Sequence, residues 1–207
     1  MNEDLTKTKE LIFDAFIEMT GELGYENVSM RDLATKVGIQ VASIYNHFST
    51  KSNILEYAYD YHAKRQYENR TPSEYMKKLI ETADADEIIN KFVYTYESEV
   101  PKQYTRIVLI TKIIYMRLFQ DPLANASFSE SNKDNTDYVI DILQHGINIG
   151  RIDPDFDTAT FADVLLGALQ AMAIKAFSNT LYAVGQLDQE YRIRAMIARL
   201  LSSAFIK

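Results

Sequence analysis

Apolar residues recur at helical spacing along nearly the whole chain, and the breaks between periodic segments divide it into a series of helices. Leu11, Ile12, Ala15, Phe16, Met19 and Leu23 fall on one stripe, with Gly24 where a left-handed C-terminal cap would sit, which predicts a first helix. Ser29-Met30-Arg31-Asp32 has the S-x-x-D form of a capping box, and Leu33, Ala34 and Val37 form a short apolar face that stops at Gly38. The pattern resumes from about Gln40 to Phe48 with Val41, Ile44, Tyr45 and Phe48. Ser49-Thr50-Lys51-Ser52 then caps a longer helix carrying Ile54, Leu55, Ala58, Tyr61 and His62. The first 50 residues thus read as three short helices. Within them, residues 29–48 have the anatomy of a helix-turn-helix: a capped short helix, small Ala34 at the helix contact, Gly38 at the turn, and Ile39 and Ile44 locking the second helix on the first. A plain helical hairpin shares that anatomy.

Farther along, breaks are expected at 70–73 around Pro72, at 99–101, at 122–136 with its many Ser, Asn and Asp, at 150–157 around Pro154, and at 178–188. Residues 107–119 are apolar almost all round, which predicts a helix at the centre of its domain or facing a cavity. Residues 161–177 carry two apolar faces, Phe161/Val164/Leu165/Ala168/Leu169/Met172 and Leu166/Ala173/Ile174/Phe177, with Gly167, Ala168 and Ala171 permitting close helix approach. One core needs one face. The second predicts a two-fold dimer in which this helix and the helix 190–204 pack with the partner's copies as a four-helix bundle. No strand pattern of useful length occurs. The expected fold is all-α, with a three-helix helix-turn-helix domain over residues 1–51 and a larger helical domain over 52–207 that carries the dimerisation helices.

Composition narrows the chemistry. The 207 residues are 47% hydrophobic and 25% charged, enough to bury a core, and hold only 7 Gly and 4 Pro. The absence of Cys excludes disulfides, thiolate metal sites and a cysteine nucleophile. Neither a signal-like apolar run near the N-terminus nor an apolar stretch of membrane-spanning length occurs, so a cytoplasmic chain with no membrane partner is expected. G-x-S-x-G, P-loop and G-x-G-x-x-G patterns are missing, and Asp141 with His145 lacks a third ligand. No catalytic residue, metal or cofactor is therefore expected. The net charge of −7 argues against a uniformly basic nucleic-acid coat, yet residues 27–53 hold three basic residues (Arg31, Lys36, Lys51) against Asp32 alone.

The stretch from Ile12 to Leu55 resembles the N-terminal domain of the tetracycline-repressor (TetR) family of bacterial transcription regulators. The resemblance is carried by Ala15, Phe16, Gly24 and Tyr25, by Val28-Ser29-Met30-Arg31-Asp32-Leu33-Ala34, by Val37-Gly38-Ile39, by Ile44-Tyr45 with His47-Phe48, and by Lys51 with Ile54-Leu55. Gly146, Gly150-Arg151-Ile152 and Asp157 are similar to a weaker pattern that precedes the family's dimerisation helices. Gln40 departs from the Ser or Thr often found there, and Ala42 from the frequent Gly. Read as chemistry, Ser29 at a helix start, the Tyr45 hydroxyl, the His47 imidazole and the Lys51 ammonium suit DNA phosphates, with Arg31 in the same DNA-binding set. Gln40, Val41, Ala42, Ser43 and Asn46 would face the major groove, Gln and Asn toward adenine, Val and Ala toward thymine methyls. With few Lys or Arg among the phosphate contacts, a modest salt dependence is expected.

Fourteen tyrosines, among them Tyr57, Tyr59, Tyr61, Tyr94, Tyr96 and Tyr115, suit either a plain core or a cavity for an apolar or aromatic molecule. Tyr61, His62, Tyr115, Met116, Phe119 and Met172 are the expected effector walls. Lys112 or Arg117, if turned inward, would add a site for an anionic group. The leading expectation is a homodimeric repressor released from a palindromic double-stranded operator by a small, mainly apolar or aromatic ligand. The alternative is a DNA-binding adaptor of the same fold whose C-terminal domain binds a protein partner.

Overall fold

The computed structural model describes residues 2–93, 102–178 and 184–206, and Tyr94 and Tyr96 lie outside them. Among the described residues ten α-helices and one 3-10 turn follow one another: α1 (Asn2–Leu23), the turn Tyr25–Asn27, α2 (Met30–Val37), α3 (Val41–Tyr45), α4 (Lys51–Asn69), α5 (Ser73–Thr82), α6 (Ala85–Val93), α7 (Lys102–Arg117), α8 (Pro122–Asn148), α9 (Thr158–Ser178) and α10 (Val184–Ser203). The fold is all-α, as the periodicity predicts, and the extended pairing seen is an isolated antiparallel bridge between Ile152 and Phe205. Among the described residues no helix is long and apolar enough to cross a membrane.

Two compact units arise, one from Met1–Glu68 with Glu99–Ser129, the other from Asn69–Ser98 with Glu130–Lys207. In the first, Ile12, Phe13, Phe16 and Ile17 of α1 pack with Leu33, Ala34, Ile44, Ile54, Leu55, Ile110, Ile113 and Ile114. The buried stripe of α1 is turned from the one the periodicity predicts: Leu11 and Leu23 are about half exposed, while Phe13, Ile17 and Thr20 are inside. Ion pairs help to set that rotation, because Arg106 Nε donates to Asp14 Oδ1 at 2.5 Å and its Nη1 to Glu10 Oε2 at 2.6 Å, turning that face of α1 toward α7. The second unit centres on Met76, Ile80, Ile88, Ile89, Ile142, Leu143, Ile152, Leu165, Ile197 and Leu201.

Two expectations, at 122–136 and at 107–119, are corrected, and the interval after Pro72 is resolved further. Residues 122–136 are helical, not a break: Asp121 caps α8 by accepting Leu123 N–H at 3.0 Å, Pro122 opens the helix where its missing N–H costs nothing, and Ala124, Ser127 and Phe128 turn inward. The segment after Pro72 is two helices, since Asp84 accepts Glu87 N–H at 2.8 Å and starts α6. Helix α7 stops at Arg117 and is buried on one face only, with Ile107, Ile110, Ile113 and Ile114 inside but Val108 and Met116 about half exposed.

Candidate nucleic-acid interface

The capping box forms as the sequence predicts. Asp32 N–H donates to Ser29 Oγ at 3.1 Å, and Ser29 N–H and Oγ–H both donate to Asp32 Oδ2. Those hydrogen bonds from Ser29 hold the Asp32 carboxyl below the usual carboxylate range. Leu33 and Ala34 are buried, and α2 ends at Gly38 with φ 76° and ψ 32°, a left-handed conformation that glycine adopts without a Cβ penalty. Gly38 N–H and Ile39 N–H donate to Ala34 O at 2.9 and 3.0 Å, which closes the turn.

Helix α3 enters from Gln40, whose extended backbone (φ −75°, ψ 148°) places it at the N-cap without a side-chain cap bond. The helix is shorter than the expected 40–48. His47 N–H and Phe48 N–H both donate to Ile44 O at 2.9 Å, so the chain tightens after Tyr45 and turns Phe48 into the core. Ile44 is fully buried and anchors the helix. Gln40, Ala42, Tyr45 and Asn46 are exposed, and Val41, Ser43 and His47 are half-buried. A five-residue helix held by one buried Ile therefore presents amides, a hydroxyl, methyls and a phenol to solvent on one side.

Two residues expected at phosphates are committed elsewhere. The Lys51 ammonium donates to Tyr25 O and Val28 O, both at 2.9 Å, and lies 4.0 Å from the centroid of the Tyr25 ring. Two of its three N–H donors are thus spent on the link between α1 and α2. Ser29 spends both its N–H and its hydroxyl hydrogen on Asp32, leaving the N–H groups of Met30 and Arg31 at the start of α2. Lys36 pairs with Glu18 at 3.0 Å across the back of α2, whereas Arg31 is exposed.

Of the residues expected to form an effector site, Tyr61, His62, Tyr115, Met116 and Phe119 belong to the first unit and Met172 to the second. In the first unit, His62 is buried and its Nε2 lies 2.9 Å from Thr111 Oγ1, which itself donates to Ile107 O at 2.8 Å. The hydroxyl hydrogen being spent there, Nε2 carries the imidazole hydrogen and Thr111 accepts it. Burial pushes the His62 pKa down to about 4, so the ring is neutral. Tyr61 and Tyr115 are half-buried, Tyr115 packing edge-on against Phe128 with centroids 5.6 Å apart. Met116 is half exposed and Phe119 is 94% exposed, because α7 has ended before Phe119 and nothing in its own unit covers either side chain. Met172, in the second unit, is half-buried. Arg117 is not turned toward a ligand: it pairs with Asp121 and Glu26, both at 3.1 Å. Among the described residues no group of three His, Asp or Glu is placed to hold a metal ion.

Tyr25, Arg106, Arg117 and Asp121 have structural roles that local sequence patterns do not reveal. Apart from the local pairs Arg117–Asp121 and Leu123–Asp121, their partners lie far away in the chain, and the sequence signals are a basic residue near each end of a largely apolar helix and an Asp before Pro122.

Residues 12–58 match the family model described as bacterial regulatory proteins, tetR family. Solved structures share the architecture over nearly the whole length. A TetR transcriptional regulator from Chloroflexus aurantiacus is 17% identical, with a TM-score of 0.72 over 99% of this chain and 98% of that one. A transcriptional regulator from Saccharomonospora viridis, solved in complex with choline, is 16% identical, with a TM-score of 0.70 over 98% and 99% of the two chains. One from Rhodococcus sp. is 18% identical, with a TM-score of 0.68 over 96% and 98%. No curated protein matches the chain. The chain thus carries the tetR-family helix-turn-helix domain over residues 12–58, and its whole length has the fold of these solved regulators.

Proposed function

We propose that this regulator is a homodimeric repressor that holds a palindromic operator and releases it when a small, mainly apolar or aromatic molecule binds. The observation that carries DNA reading is α3 itself, a helix whose exposed side is made of Gln40, Ala42, Tyr45 and Asn46 beside a single buried anchor, Ile44. In this reading residues 1–51 are the DNA-binding domain and 52–207 sense and dimerise. Gln40, Val41, Ala42, Ser43 and Asn46 read bases in the major groove. Tyr45, His47, Arg31 and the free N–H groups at the start of α2 hold phosphates.

Dimerisation is supported by apolar side chains left uncovered on two helices of the second unit. Val164 and Ile174 of α9 are 41% and 50% exposed, and Tyr191, Met196 and Leu200 of α10 are 73%, 55% and 44% exposed. Among the described residues no atom beyond its own stretch of helix lies within 4 Å of where a Cβ on Gly167 would stand, which leaves α9 open to close approach by another helix. An effector of apolar character is supported by the half-buried Tyr61 and Tyr115 and by the neutral state of the buried His62 in the same unit. The choline-bound relative from Saccharomonospora viridis makes a quaternary ammonium compound a reasonable first member of the ligand panel.

The test is selection of duplexes from a random pool by the full chain, followed by release with a panel of apolar and aromatic metabolites. Enrichment of an inverted repeat and its release by a ligand would support the reading. Ligands that bind yet leave operator affinity unchanged would reject the repressor switch, and a chain that enriches no sequence would reject DNA reading altogether.

A further inference from the structure

The link between α1 and α2 is gripped by two cations from outside the helix-turn-helix. At the end of α7, Arg117 is largely buried, its side chain 16% exposed. Its Nε donates to Asp121 Oδ2 and its Nη1 to Glu26 Oε1, both at 3.1 Å, and its guanidinium carbon lies 4.1 Å from the centroid of the Tyr25 ring. At the start of α4, the Lys51 ammonium lies 4.0 Å from the same centroid and bonds the carbonyls of Tyr25 and Val28. Asp121 is itself held by the Tyr59 hydroxyl of α4 at 3.0 Å and by Leu123 N–H at 3.0 Å. Burial alone would raise the Asp121 carboxyl, yet the bonds from Arg117, Leu123 and Tyr59 outweigh it and keep the group ionised.

Tyr25 and Glu26 belong to the 3-10 turn that leads to Val28, and Val28 immediately precedes Ser29, the cap of α2. The position of this turn fixes where α2 starts, and α3 is locked on α2 through Ile39 and Ile44. Arg117 can stack on the ring and fork to two carboxylates at once because its guanidinium is planar with fixed donors; a lysine there would have to choose. Its nitrogens are turned to Asp121 and Glu26, with little of the side chain left for a ligand outside.

We propose that Arg117 is a positioning residue for DNA recognition. With Lys51 it fixes the Tyr25–Val28 link, and through it the presentation of α2 and α3, without touching DNA itself. The inference rests on the reading that α3 enters the major groove.

The experiment measures affinity of the full chain for a duplex that the wild-type protein selects from a random pool, across a range of salt. Arg117→Lys, Tyr25→Leu and Tyr25→Phe are compared, with the Arg117→Lys/Tyr25→Leu double variant and thermal melts of each. The expected result is a loss of about tenfold for Arg117→Lys and for Tyr25→Leu. The double variant should be no weaker than the worse single one, since both break the same stack. Tyr25→Phe keeps the ring and should bind close to wild type. The slope of log affinity against log salt should be unchanged in all of them. Wild-type affinity in Arg117→Lys, losses that multiply in the double variant, or a slope reduced by about 0.9, the signature of one fewer neutralised phosphate, would overturn the inference. If Tyr25→Leu does not fold, Arg117→Lys against Tyr25→Phe decides by the same slopes. A wild-type chain that selects no duplex would overturn the DNA-binding reading and the inference with it, whereas a binding wild type matched by Arg117→Lys overturns the inference alone.

Discussion

Single residues carry measurable electrostatics. His62 is buried and neutral, with its pKa pushed down to about 4. A depressed folded-state pKa means that the unfolded chain takes up the proton first, so stability is full above the unfolded pKa of about 6.5 and is lost as pH falls toward 4. Across that window the loss amounts to about 3 kcal/mol. Asp121 and Asp141, whose carboxyls are held low by hydrogen-bonded partners, give up their contributions only at lower pH. Urea unfolding between pH 6.5 and 5 should therefore show a falling stability that flattens in His62→Gln; an equal slope in both proteins would refute the assignment. On the reading helix, Gln40→Ala and Asn46→Ala should change which base pairs are preferred, at about 1 to 3 kcal/mol for each well-formed pairing with a base edge that is removed. Tyr45→Phe should weaken all sequences alike. Lys51→Ala should lower the melting temperature and DNA affinity together at an unchanged salt slope, because two of its three donors are spent on carbonyls; a flatter slope with an unchanged melting temperature would return Lys51 to the phosphates.

Among the elements, two glycines in helices make opposite predictions. A Cβ on Gly146 of α8 would stand 2.7 Å from Ile152 Cδ1 and 3.3 Å from Ile80 Cδ1, inside the second core. Gly146→Ala should destabilise the chain by about 1 to 3 kcal/mol despite alanine's better helix propensity, read as a lower urea midpoint. A Cβ on Gly167 of α9 would meet no atom of the described residues beyond its own stretch of helix within 4 Å, so Gly167→Ala should not destabilise the protomer but should weaken the dimer if α9 packs closely on its partner. Unchanged dimerisation in that variant would move the interface elsewhere. How far each element could be read from sequence follows the range of its determinants. Ser29, Asp32 and Gly38 act within four residues of their partners, and that cap and turn were legible. The helix through 122–136 was not, because Ser, Asn and Asp suggest a loop while the decisive cap lies one residue earlier, at Asp121. The end of α3 was hidden by Tyr45 and Phe48, whose apolar rhythm continues after the backbone has tightened. Arg106 and Arg117 reach carboxylates on the far side of more than 90 residues, which local periodicity does not encode.

For the whole molecule, charge and symmetry set the expectations. The net charge is −7, and near the reading helix Lys36 is paired with Glu18 while Lys51 is bound to carbonyls. Few cations are left for phosphates, so DNA affinity should fall only gently with salt, with a slope of a few units for a dimer. Light scattering at micromolar concentration should give twice the protomer mass of 23.8 kDa. The most direct test of the account is a hydroxyl-radical footprint of the full chain on a duplex it has selected. Two protected half-sites are expected in inverted repeat on one side of the duplex, one helical turn or a multiple, about 34 Å, apart. Protection of a single half-site, or uniform protection without sequence preference, would contradict it.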